Sequence, residues 1–400
     1  MKEAYRVLIY SHDSFGLGHL RRCMTIANRL VANHKGLSVL ILSGSPIIGS
    51  FNFRARVDFV RIPGMIKLRN GEYTPLKLHI SPDQTLELRR DIIYHTSRAF
   101  DPDLFIVDKE PLGLLGEVGR TLEMLKGRGT PLVLGLRDVM DDPRLLAAEW
   151  DRKKVMPALA DLYDEIWIYG LRQIYDPFTG IDAPESVRRK LVYTGYLRRS
   201  VPRNRPQERP GGLIGEGYFL VTPGGGGDGE ALVDWVLRAY ECESGLPHPA
   251  LVVFGPFMAP QNRQSFTERI ERLDRVEAIT FHTGFESLMA RAKGVVAMGG
   301  YNTFCEILSF DRPAVIVPRT APRKEQLIRT QQASKLKLVQ LLADDGGHDP
   351  KAMARALHAL ARQPAPSSVS IPGLLDGLDI IDTLASDLLL RPAEPIRTVV

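Results

Sequence analysis

The stretch "RVLIYSHDSFGLGHLRRCMTIANRL" (residues 6–30) joins an apolar run, a glycine-containing turn and an amphipathic segment. The run from Arg6 to Tyr10 has the continuous apolar character of a strand that is covered on both faces. After Leu20, apolar residues recur at the spacing of one helix face. They are Cys23, Met24, Ala27, Leu30 and Val31. The stretch therefore predicts a β-strand that passes through a tight turn into an α-helix, as at the start of a doubly wound α/β domain.

The same alternation of strand-like and helical patterns occurs in both halves of the 400-residue chain. Strand-like runs lie at 6–10, 37–44, 57–64, 103–110, 131–138, 165–170 and 190–197, and again at 218–227, 250–257, 276–282, 294–300 and 313–319. The Pro-, Arg- and Gly-rich stretch at 197–212 interrupts them. We predict two doubly wound α/β domains at 1–200 and 216–365, a linker at 201–215, and a ligand-binding cleft between the domains. Residues 366–400 are expected to carry an amphipathic helix that packs back across the domains.

Composition narrows the class of protein. The net charge is +5, hydrophobic residues make up 44% of the chain, and no run approaches the roughly 18 apolar residues of a membrane span. The three cysteines lie far apart, which predicts neither a disulfide framework nor a zinc site. The N-terminus resembles a first strand rather than a signal peptide, so a cytoplasmic location is expected. No nucleic-acid-binding motif is present, and we predict no bound metal and no cofactor.

Two glycine-rich turns follow strands in the second half. The first, "TPGGGGDGE" (222–230), includes Gly224, Gly225 and Gly226 and opens a helix, so its backbone amides suit a diphosphate. Its letters also fit a dinucleotide-binding pattern, but the next strand ends in Gly255 and Pro256 and lacks the acidic residue that holds a ribose. This argues against NAD. The alternative to an anion site is a glycine-rich surface turn.

The second turn, "MGGYNTFCEILSFDRPAVIVPR" (298–319), places Gly299 and Gly300 before a helix. Tyr301, Phe304, Cys305 and Leu308 form its predicted buried face. Asn302, Thr303 and Glu306 are spaced to share the other face. In that position Glu306 either accepts hydrogen bonds from a ribose diol or is a favourable first-turn acid.

Several polar residues of the first half are candidates for contact with a second substrate. His19 is expected in the first turn of its helix, where the helix dipole disfavours imidazolium, so a neutral imidazole is available as a general base. The alternative is a histidine that caps the turn. Arg137 and Asp138 end a predicted strand at the ligand-binding edge, and are expected either to touch substrate or to form a surface ion pair.

The segment 53–80 mixes basic and apolar residues. The basic ones are Arg54, Arg56, Arg61, Lys67, Arg69 and Lys77. Such a patch suits anionic lipid headgroups at a membrane surface, and a long solvated loop is the alternative. No GxSxG, HExxH, Walker A lysine or Cys–His nucleophile pattern is present, so any chemistry must depend on positioning and charge stabilisation.

Taken together, "GLGH" (16–19), "TPGGGG" (222–227) and "GGYNTFCEILSFDRPAVIVPR…EQ" (299–326) resemble glycosyltransferase family 28, which has the two-domain GT-B architecture. The resemblance implies an inverting, metal-independent transfer of a sugar from a UDP-sugar to a hydroxyl of a sugar or lipid-linked acceptor. The first domain would be the acceptor side and the second the donor side.

The resemblance also implies residue roles. Glu306 would bind the donor ribose, amides near Gly225, Gly300 and Asn302 the diphosphate, and Glu325 and Gln326 the sugar. His19 would deprotonate the acceptor. The donor set thus comprises Gly224, Gly225, Gly226, Gly299, Gly300, Asn302, Thr303, Glu306, Glu325 and Gln326, and the acceptor set Gly16, Gly18, Arg22, Arg137 and Asp138.

The first turn departs from the GGxGGH type of the peptidoglycan N-acetylglucosaminyltransferase group. It is more similar to the turn of a UDP-sugar hydrolase on the same fold, in which the matching histidine activates water. A UDP-sugar hydrolase or epimerase, or a non-catalytic nucleotide-sugar-binding partner protein, therefore remains the alternative to a transferase.

Overall fold

A computed structural model describes residues 4–12, 18–68, 72–201, 215, 217–224, 228–280, 284–344 and 346–391. By their contacts these residues form two compact units. The first contains the described parts of Met1–Arg172, Asp176–Leu197 and Asp376–Val400, and the second those of Gln173–Tyr175 and Arg198–Leu375. Except for its first and last residues, the predicted linker at 201–215 lies outside the described residues.

The first unit is built on a parallel sheet of seven strands in the order β3-β2-β1-β6-β7-β8-β9. The strands are β1 (Tyr5–Ser11), β2 (Leu37–Ser43), β3 (Val57–Arg61), β6 (Leu104–Asp108), β7 (Leu132–Arg137), β8 (Glu165–Tyr169) and β9 (Leu191–Tyr193). A separate antiparallel pair, β4 (Met65–Lys67) and β5 (Tyr73–Pro75), lies in the segment 53–80. The helices are α1 (Gly18–Asn33), α2 (Pro82–Phe100), α3 (Gly119–Gly127), α4 (Pro143–Arg152), α5 (Val155–Asp161), α6 (Glu185–Arg188) and α13 (Gly377–Leu390).

Burial follows from the apolar runs of the sequence. Val7, Leu8, Ile9 and Tyr10 are at most 1% exposed, which requires helices on both faces of β1. The start of α2 is fixed by a capping box, in which the side chains of Ser81 and Gln84 each accept a hydrogen bond from the other residue's backbone.

The second unit has a six-stranded parallel sheet in the order β12-β11-β10-β13-β14-β15. Its strands are β10 (Phe219–Thr222), β11 (Ala250–Val253), β12 (Val276–Ile279), β13 (Gly294–Ala297), β14 (Ala314–Ile316) and β15 (Gln340–Leu341). Its helices are α7 (Glu230–Cys242), α8 (Pro260–Ile270), α9 (Phe285–Arg291), α10 (Tyr301–Ser309), α11 (Glu325–Lys335) and α12 (Pro350–Leu360). The predicted fold class of two doubly wound α/β domains is confirmed.

Each sheet reverses its strand order once. In the first unit β1 pairs with both β2 and β6, and in the second β10 pairs with both β11 and β13. At such a switch point the connections leave toward opposite faces, and a crevice opens at the carboxyl ends of the two central strands. Both candidate sites described below lie at these strand ends.

The final helix α13 belongs by its contacts to the first unit, where it packs against α1. Asp379 of α13 pairs with Arg29 of α1, and Asp382 pairs with His34, the residue that follows α1. The first residue of α13, Gly377, donates its backbone N–H to the carbonyl of Tyr196 at 3.3 Å. A side chain at Gly377 would overlap the backbone of residues 195 and 196, so the helix start is fitted closely to that segment. None of the described helices is both long and apolar enough to cross a bilayer.

Candidate active site

The candidate site of the first unit lies where β1 and β6 end side by side. Tyr10 of β1 is paired with Val107 of β6, so the next residues, Ser11 and Asp108, are neighbours at the carboxyl edge. The chain after β1 leads into α1, which begins at Gly18. Gly16 of the predicted acceptor set lies outside the described residues.

His19 and Arg22 of α1 both contact the carboxylate of Asp108. The His19 Nδ1 atom lies 2.5 Å from Asp108 Oδ2. Arg22 donates from Nε to Oδ1 at 2.8 Å and from Nη2 to Oδ2 at 2.7 Å, which is a two-pronged pairing. Asp108 and Arg22 are each 1% exposed, whereas 16% of the His19 side chain is exposed. The imidazole is therefore the part of this cluster that reaches the surface.

The electrostatics of the cluster define its protonation state. Burial raises the pKa of Asp108, but the neighbouring Arg22 and His19 outweigh it and hold this pKa well below its usual range. Burial lowers the pKa of His19 to about 4, with Arg22 acting in the same direction and Asp108 opposing both. At neutral pH the carboxylate is ionised and the imidazole is neutral. Since an ionised carboxylate only accepts, Nδ1 donates its proton to Asp108, and Nε2 keeps a lone pair for a substrate proton.

Asp108 was not identified from the sequence, although a usable signal was present. It ends an apolar strand-like run, the same feature that drew attention to Arg137 and Asp138. Of that pair, Asp138 is fully buried and accepts a hydrogen bond from the Tyr196 hydroxyl at 2.9 Å. The alternative of a surface ion pair is therefore wrong for Asp138, and contact of either residue with substrate stays a prediction.

The candidate site of the second unit is formed by the turns after β10 and β13. Gly224 has φ +84°, a left-handed conformation that favours glycine. A Cβ at Gly224 would lie 3.9 Å from the Thr303 hydroxyl, so the two turns are adjacent. Gly225 and Gly226 lie outside the described residues.

The turn after β13 uses its two glycines differently. Gly299 has φ +81°, and a Cβ there would come within 2.7 Å of Ile316 Cγ2, so glycine is required by both conformation and space. Gly300 precedes α10, and a Cβ at this position would meet no crowding atom of the described residues within 4 Å. The first backbone N–H groups of α10, at 301–303, precede the first intrahelical bond, which Phe304 donates to Gly300. A helix N-terminus of this kind favours an anion.

Arg199 meets this helix N-terminus from the segment that follows the first unit. Its Nη2 atom donates to Asn302 Oδ1 at 2.8 Å, and its backbone N–H donates to the Ser309 hydroxyl at 2.8 Å. The residue is 9% exposed. Arg199 was not identified from the sequence. Its guanidinium adds a positive charge beside the N-terminus of α10, where the diphosphate is predicted to bind.

The structure buries the side chain of Glu306 in α10. Glu306 shares one side of α10 with Asn302 and Thr303, as the spacing predicts, and its side chain is 0% exposed. The reason is that α10 is covered on most of its circumference, as Ile307 is also fully buried. The ribose-binding role of Glu306 therefore stays a prediction.

Glu325 and Gln326 begin α11 and are organised by Arg319. Arg319 donates from Nη2 to Glu325 Oε1 at 2.8 Å, and its backbone N–H donates to Gln326 Oε1 at 3.0 Å. Its Nη1 atom also donates to Asp228 Oδ2 at 2.6 Å, which ties α11 to the end of the first glycine-rich turn. The predicted sugar-binding pair is thus held beside the turn after β10. Among the described residues, no group of three or more His, Cys, Asp or Glu side chains is arranged to hold a metal ion.

Comparison with known proteins bears on both units. Residues 230–366 match the family model of the glycosyltransferase family 28 C-terminal domain, which confirms the predicted resemblance for this part of the chain. A comparison with curated protein sequences gives no match.

Solved structures with the same fold cover nearly the whole chain. CalG4, the calicheamicin glycosyltransferase, is 16% identical with a TM-score of 0.62 over 98% of this chain and 100% of that one. A UDP-N-acetylglucosamine 2-epimerase is 11% identical with a TM-score of 0.62 over 99% of each chain. Medicago truncatula UGT71G1 complexed with UDP-glucose is 13% identical with a TM-score of 0.60 over 96% of this chain and 98% of that one. At these identities the likeness establishes the fold, and the predicted GT-B architecture is confirmed.

Proposed function

We propose that this protein is a glycosyltransferase that moves a sugar from a UDP-sugar to an acceptor hydroxyl, with inversion and without a metal ion. The observation that carries the proposal is the contact of His19 Nδ1 with Asp108 Oδ2 at 2.5 Å, at the switch point of the first sheet. The family 28 match of residues 230–366 supports a sugar-transfer chemistry for the second unit.

The acceptor step follows from the protonation state of this pair. His19 Nε2 takes the proton of the acceptor hydroxyl while the hydroxyl oxygen forms its bond to the anomeric carbon of the donor. The bond from that carbon to the diphosphate oxygen breaks on the opposite side. The positive charge that develops on His19 lies against the ionised Asp108, which stabilises the imidazolium and fixes the tautomer.

The departing diphosphate gains negative charge, and the α10 N-terminus is suited to stabilise it. The backbone N–H groups at 301–303 begin α10, and the guanidinium of Arg199 donates to Asn302 in the first turn of this helix. Fixed donors of this kind stabilise developing charge without reorganising during the reaction. In this proposal Gly224, Gly299 and Gly300 allow close approach of the backbone to the diphosphate, Glu306 meets the ribose, and Glu325 and Gln326 meet the sugar.

A uridine nucleotide is proposed because Medicago truncatula UGT71G1, which has the same fold, is complexed with UDP-glucose. The test is a panel of UDP-, GDP- and TDP-sugars scored for thermal stabilisation of the purified protein, since a bound ligand raises the melting temperature by mass action. Release of UDP is then measured with and without sugar and lipid-linked acceptors. Release that needs an acceptor supports the transferase.

A UDP-sugar hydrolase or epimerase is the second candidate, favoured by the structural likeness to a UDP-N-acetylglucosamine 2-epimerase. In the same assay a hydrolase or epimerase would act on the UDP-sugar without an acceptor, and the product would be free sugar or an epimerised sugar. Binding of UDP with no turnover, unaffected by His19→Ala, would instead indicate a non-catalytic nucleotide-sugar-binding protein.

We also propose contact of the segment 53–80 with a membrane surface, as a peripheral protein on the cytoplasmic side. Leu68 and Leu78 are 43% and 44% exposed, and Lys67 of β4 directly precedes Leu68. Exposed apolar side chains next to cations suit an anionic headgroup region. Co-sedimentation with vesicles containing phosphatidylglycerol, compared with phosphatidylcholine vesicles, tests this contact.

A further inference from the structure

Three polar atoms at the carboxyl ends of β1 and β2 are buried without a hydrogen-bond partner among the described residues. They are Ser11 Oγ, His12 Nδ1 and Ser45 Oγ. The three residues are 1%, 4% and 2% exposed. A buried polar atom of this kind is unfavourable unless a ligand or ordered water supplies the missing bond, so a group of three at one edge calls for an explanation.

The three residues lie together beside the proposed catalytic pair. Ser11 is paired in register with Ser43 of β2, whose hydroxyl accepts a hydrogen bond from the Ser45 backbone N–H at 3.1 Å. On its other side Ser11 is next to Asp108, through the register of β1 with β6. The His12 ring meets the His19 ring edge to face, with centroids 5.7 Å apart.

The charges around His12 keep its ring neutral. Burial, and then the positive charge of Lys109, lower the pKa of His12 well below its usual value. Lys109 is itself paired with Glu110 at 3.2 Å, and Glu110 also binds Lys153 at 2.8 Å. A neutral imidazole has one donor and one acceptor nitrogen, and a serine hydroxyl both donates and accepts. This combination is complementary to hydroxyl groups rather than to a single charged group.

We infer that Ser11, His12 and Ser45 form an acceptor subsite that binds adjacent hydroxyl groups of a carbohydrate and presents one of them to His19. The inference rests on the proposed function and names its acceptor class. An acceptor with a flat aromatic or aliphatic body would leave these atoms unpaired, and a site built around hydroxyl groups discriminates strongly against ligands that lack them. His12 acts as a positioning residue and takes no proton from the substrate.

The inference is tested by NMR on full-length protein labelled with ¹⁵N at histidine, in the presence of UDP. The probes are methyl glucoside, methyl N-acetylglucosaminide and the aromatic acceptor para-nitrophenol. We expect the two sugars to shift the His12 and His19 ring signals and para-nitrophenol to leave His12 unshifted. Larger His12 shifts with para-nitrophenol than with the sugars would indicate an aromatic acceptor. No His12 shift with either sugar would indicate that only ordered water fills the site. Either result would overturn the subsite.

Variants separate binding from folding. Ser11→Ala and Ser45→Ala should leave the melting temperature unchanged or raise it, because they delete unpaired hydroxyls. The apparent affinity for the sugars, measured from the shift of the His12 signals during a titration, should fall about tenfold. Thr121→Val is the matched control: its hydroxyl is also buried without a partner among the described residues, but it lies on α3. It should not alter the sugar response. Destabilised serine variants with unaltered sugar binding would show that the hydroxyls serve the fold and would contradict the subsite.

The outcomes also distinguish the subsite from the proposed function. If UDP release needs an acceptor but neither sugar shifts the His12 ring signals, the subsite is wrong and the transferase proposal stands. If the sugars shift His12 but no nucleotide-sugar binds, the subsite stands as a carbohydrate site and the transferase proposal fails.

Discussion

His19 and Asp108 are 89 positions apart in the chain, yet their side chains meet at 2.5 Å because β1 and β6 are neighbours in the first sheet. The contact joins the first turn of a helix to the end of a strand. It gives the imidazole a fixed tautomer and gives the carboxylate a second partner besides Arg22. A change at either residue should therefore alter the protonation of the other.

Replacing Asp108 by Asn should remove the charge that stabilises the His19 imidazolium. We expect kcat to fall by about 10²- to 10⁴-fold, in the range lost with a positioned acid–base group. Arg22 would also lose its buried partner, which costs about 3–5 kcal/mol of stability, so kcat must be normalised to the folded fraction by circular dichroism.

The matched control for Asp108 is Asp164→Asn. Asp164 pairs with Lys126 and with the Leu132 backbone N–H, at the amino-terminal edge of the same sheet. This variant should lose stability without a comparable loss of kcat. Equal effects of the two substitutions on kcat would argue against a catalytic role for Asp108.

The pH profile should report the low pKa of His19. A general base must be unprotonated, so kcat/KM should be flat through neutrality and decline only as the pH falls towards about 4. Arg22→Gln removes a positive neighbour that lowers this pKa, so the acid limb should move to higher pH. If kcat/KM of the unaltered protein instead declines near pH 6.5, the ordinary pKa of histidine being about 6.5, the assignment of His19 as a general base with a lowered pKa would be contradicted.

The same pKa shift predicts a loss of stability in acid. The pKa of His19 is lower in the folded protein than in the unfolded chain, so the unfolded chain binds more protons between these values. The lowered pKa therefore leaves the free energy of unfolding unaffected above about pH 6.5 and reduces it, by about 3 kcal/mol, as the pH falls from there to about 4. Urea unfolding across this range, compared between the parent protein and His19→Gln, measures it: the variant should show a shallower decline.

The two glycines before α10 should respond differently to alanine. Gly299→Ala forces a side chain into a left-handed position against Ile316, and should destabilise the protein by about 1–3 kcal/mol. Gly300→Ala meets no such crowding, so stability should be preserved while UDP binding weakens, because the added methyl group enters the space in front of the helix N-terminus. Calorimetric titration with UDP checks both. Unchanged UDP binding by Gly300→Ala would place the diphosphate elsewhere.

Arg199→Met should weaken UDP binding about tenfold to a hundredfold, the effect of losing a charge-assisted hydrogen bond. Arg312→Met is the control, since Arg312 binds backbone carbonyls of Phe310 and Ala292 beyond the other end of α10. It should alter stability more than UDP affinity. If both variants bind UDP like the parent protein, Arg199 serves only to hold Asn302.

The strands of both sheets could be predicted because most are continuous apolar runs, which few other elements produce. The short strands β4, β5 and β15 were not predicted, since none of them lies in one of the continuous apolar runs by which the other strands were predicted. His19 was expected in the first turn of α1 and lies there, because the glycine-containing turn and the helix pattern are local features.

The partners of these residues could not be predicted in the same way. Asp108 becomes the partner of His19 only through the strand order β2-β1-β6, which the order of the chain does not specify. Arg199 reaches Asn302 from a segment without periodicity, and the full burial of Glu306 was not predicted because spacing alone does not reveal that α10 is covered on most sides. Local patterns identify elements, whereas contacts between elements depend on tertiary packing.

The return of α13 to the first unit has a consequence for biosynthesis. A ribosome completes the whole second unit, Arg198–Leu375, before it makes the helix whose Gly377 fits against residues 195 and 196. The first unit therefore emerges with the outer surface of α1 uncovered and completes its own packing last. A released chain that ends before Gly377 should therefore contain a folded second unit together with a protease-sensitive α1, and a chain that extends through Leu390 should protect α1.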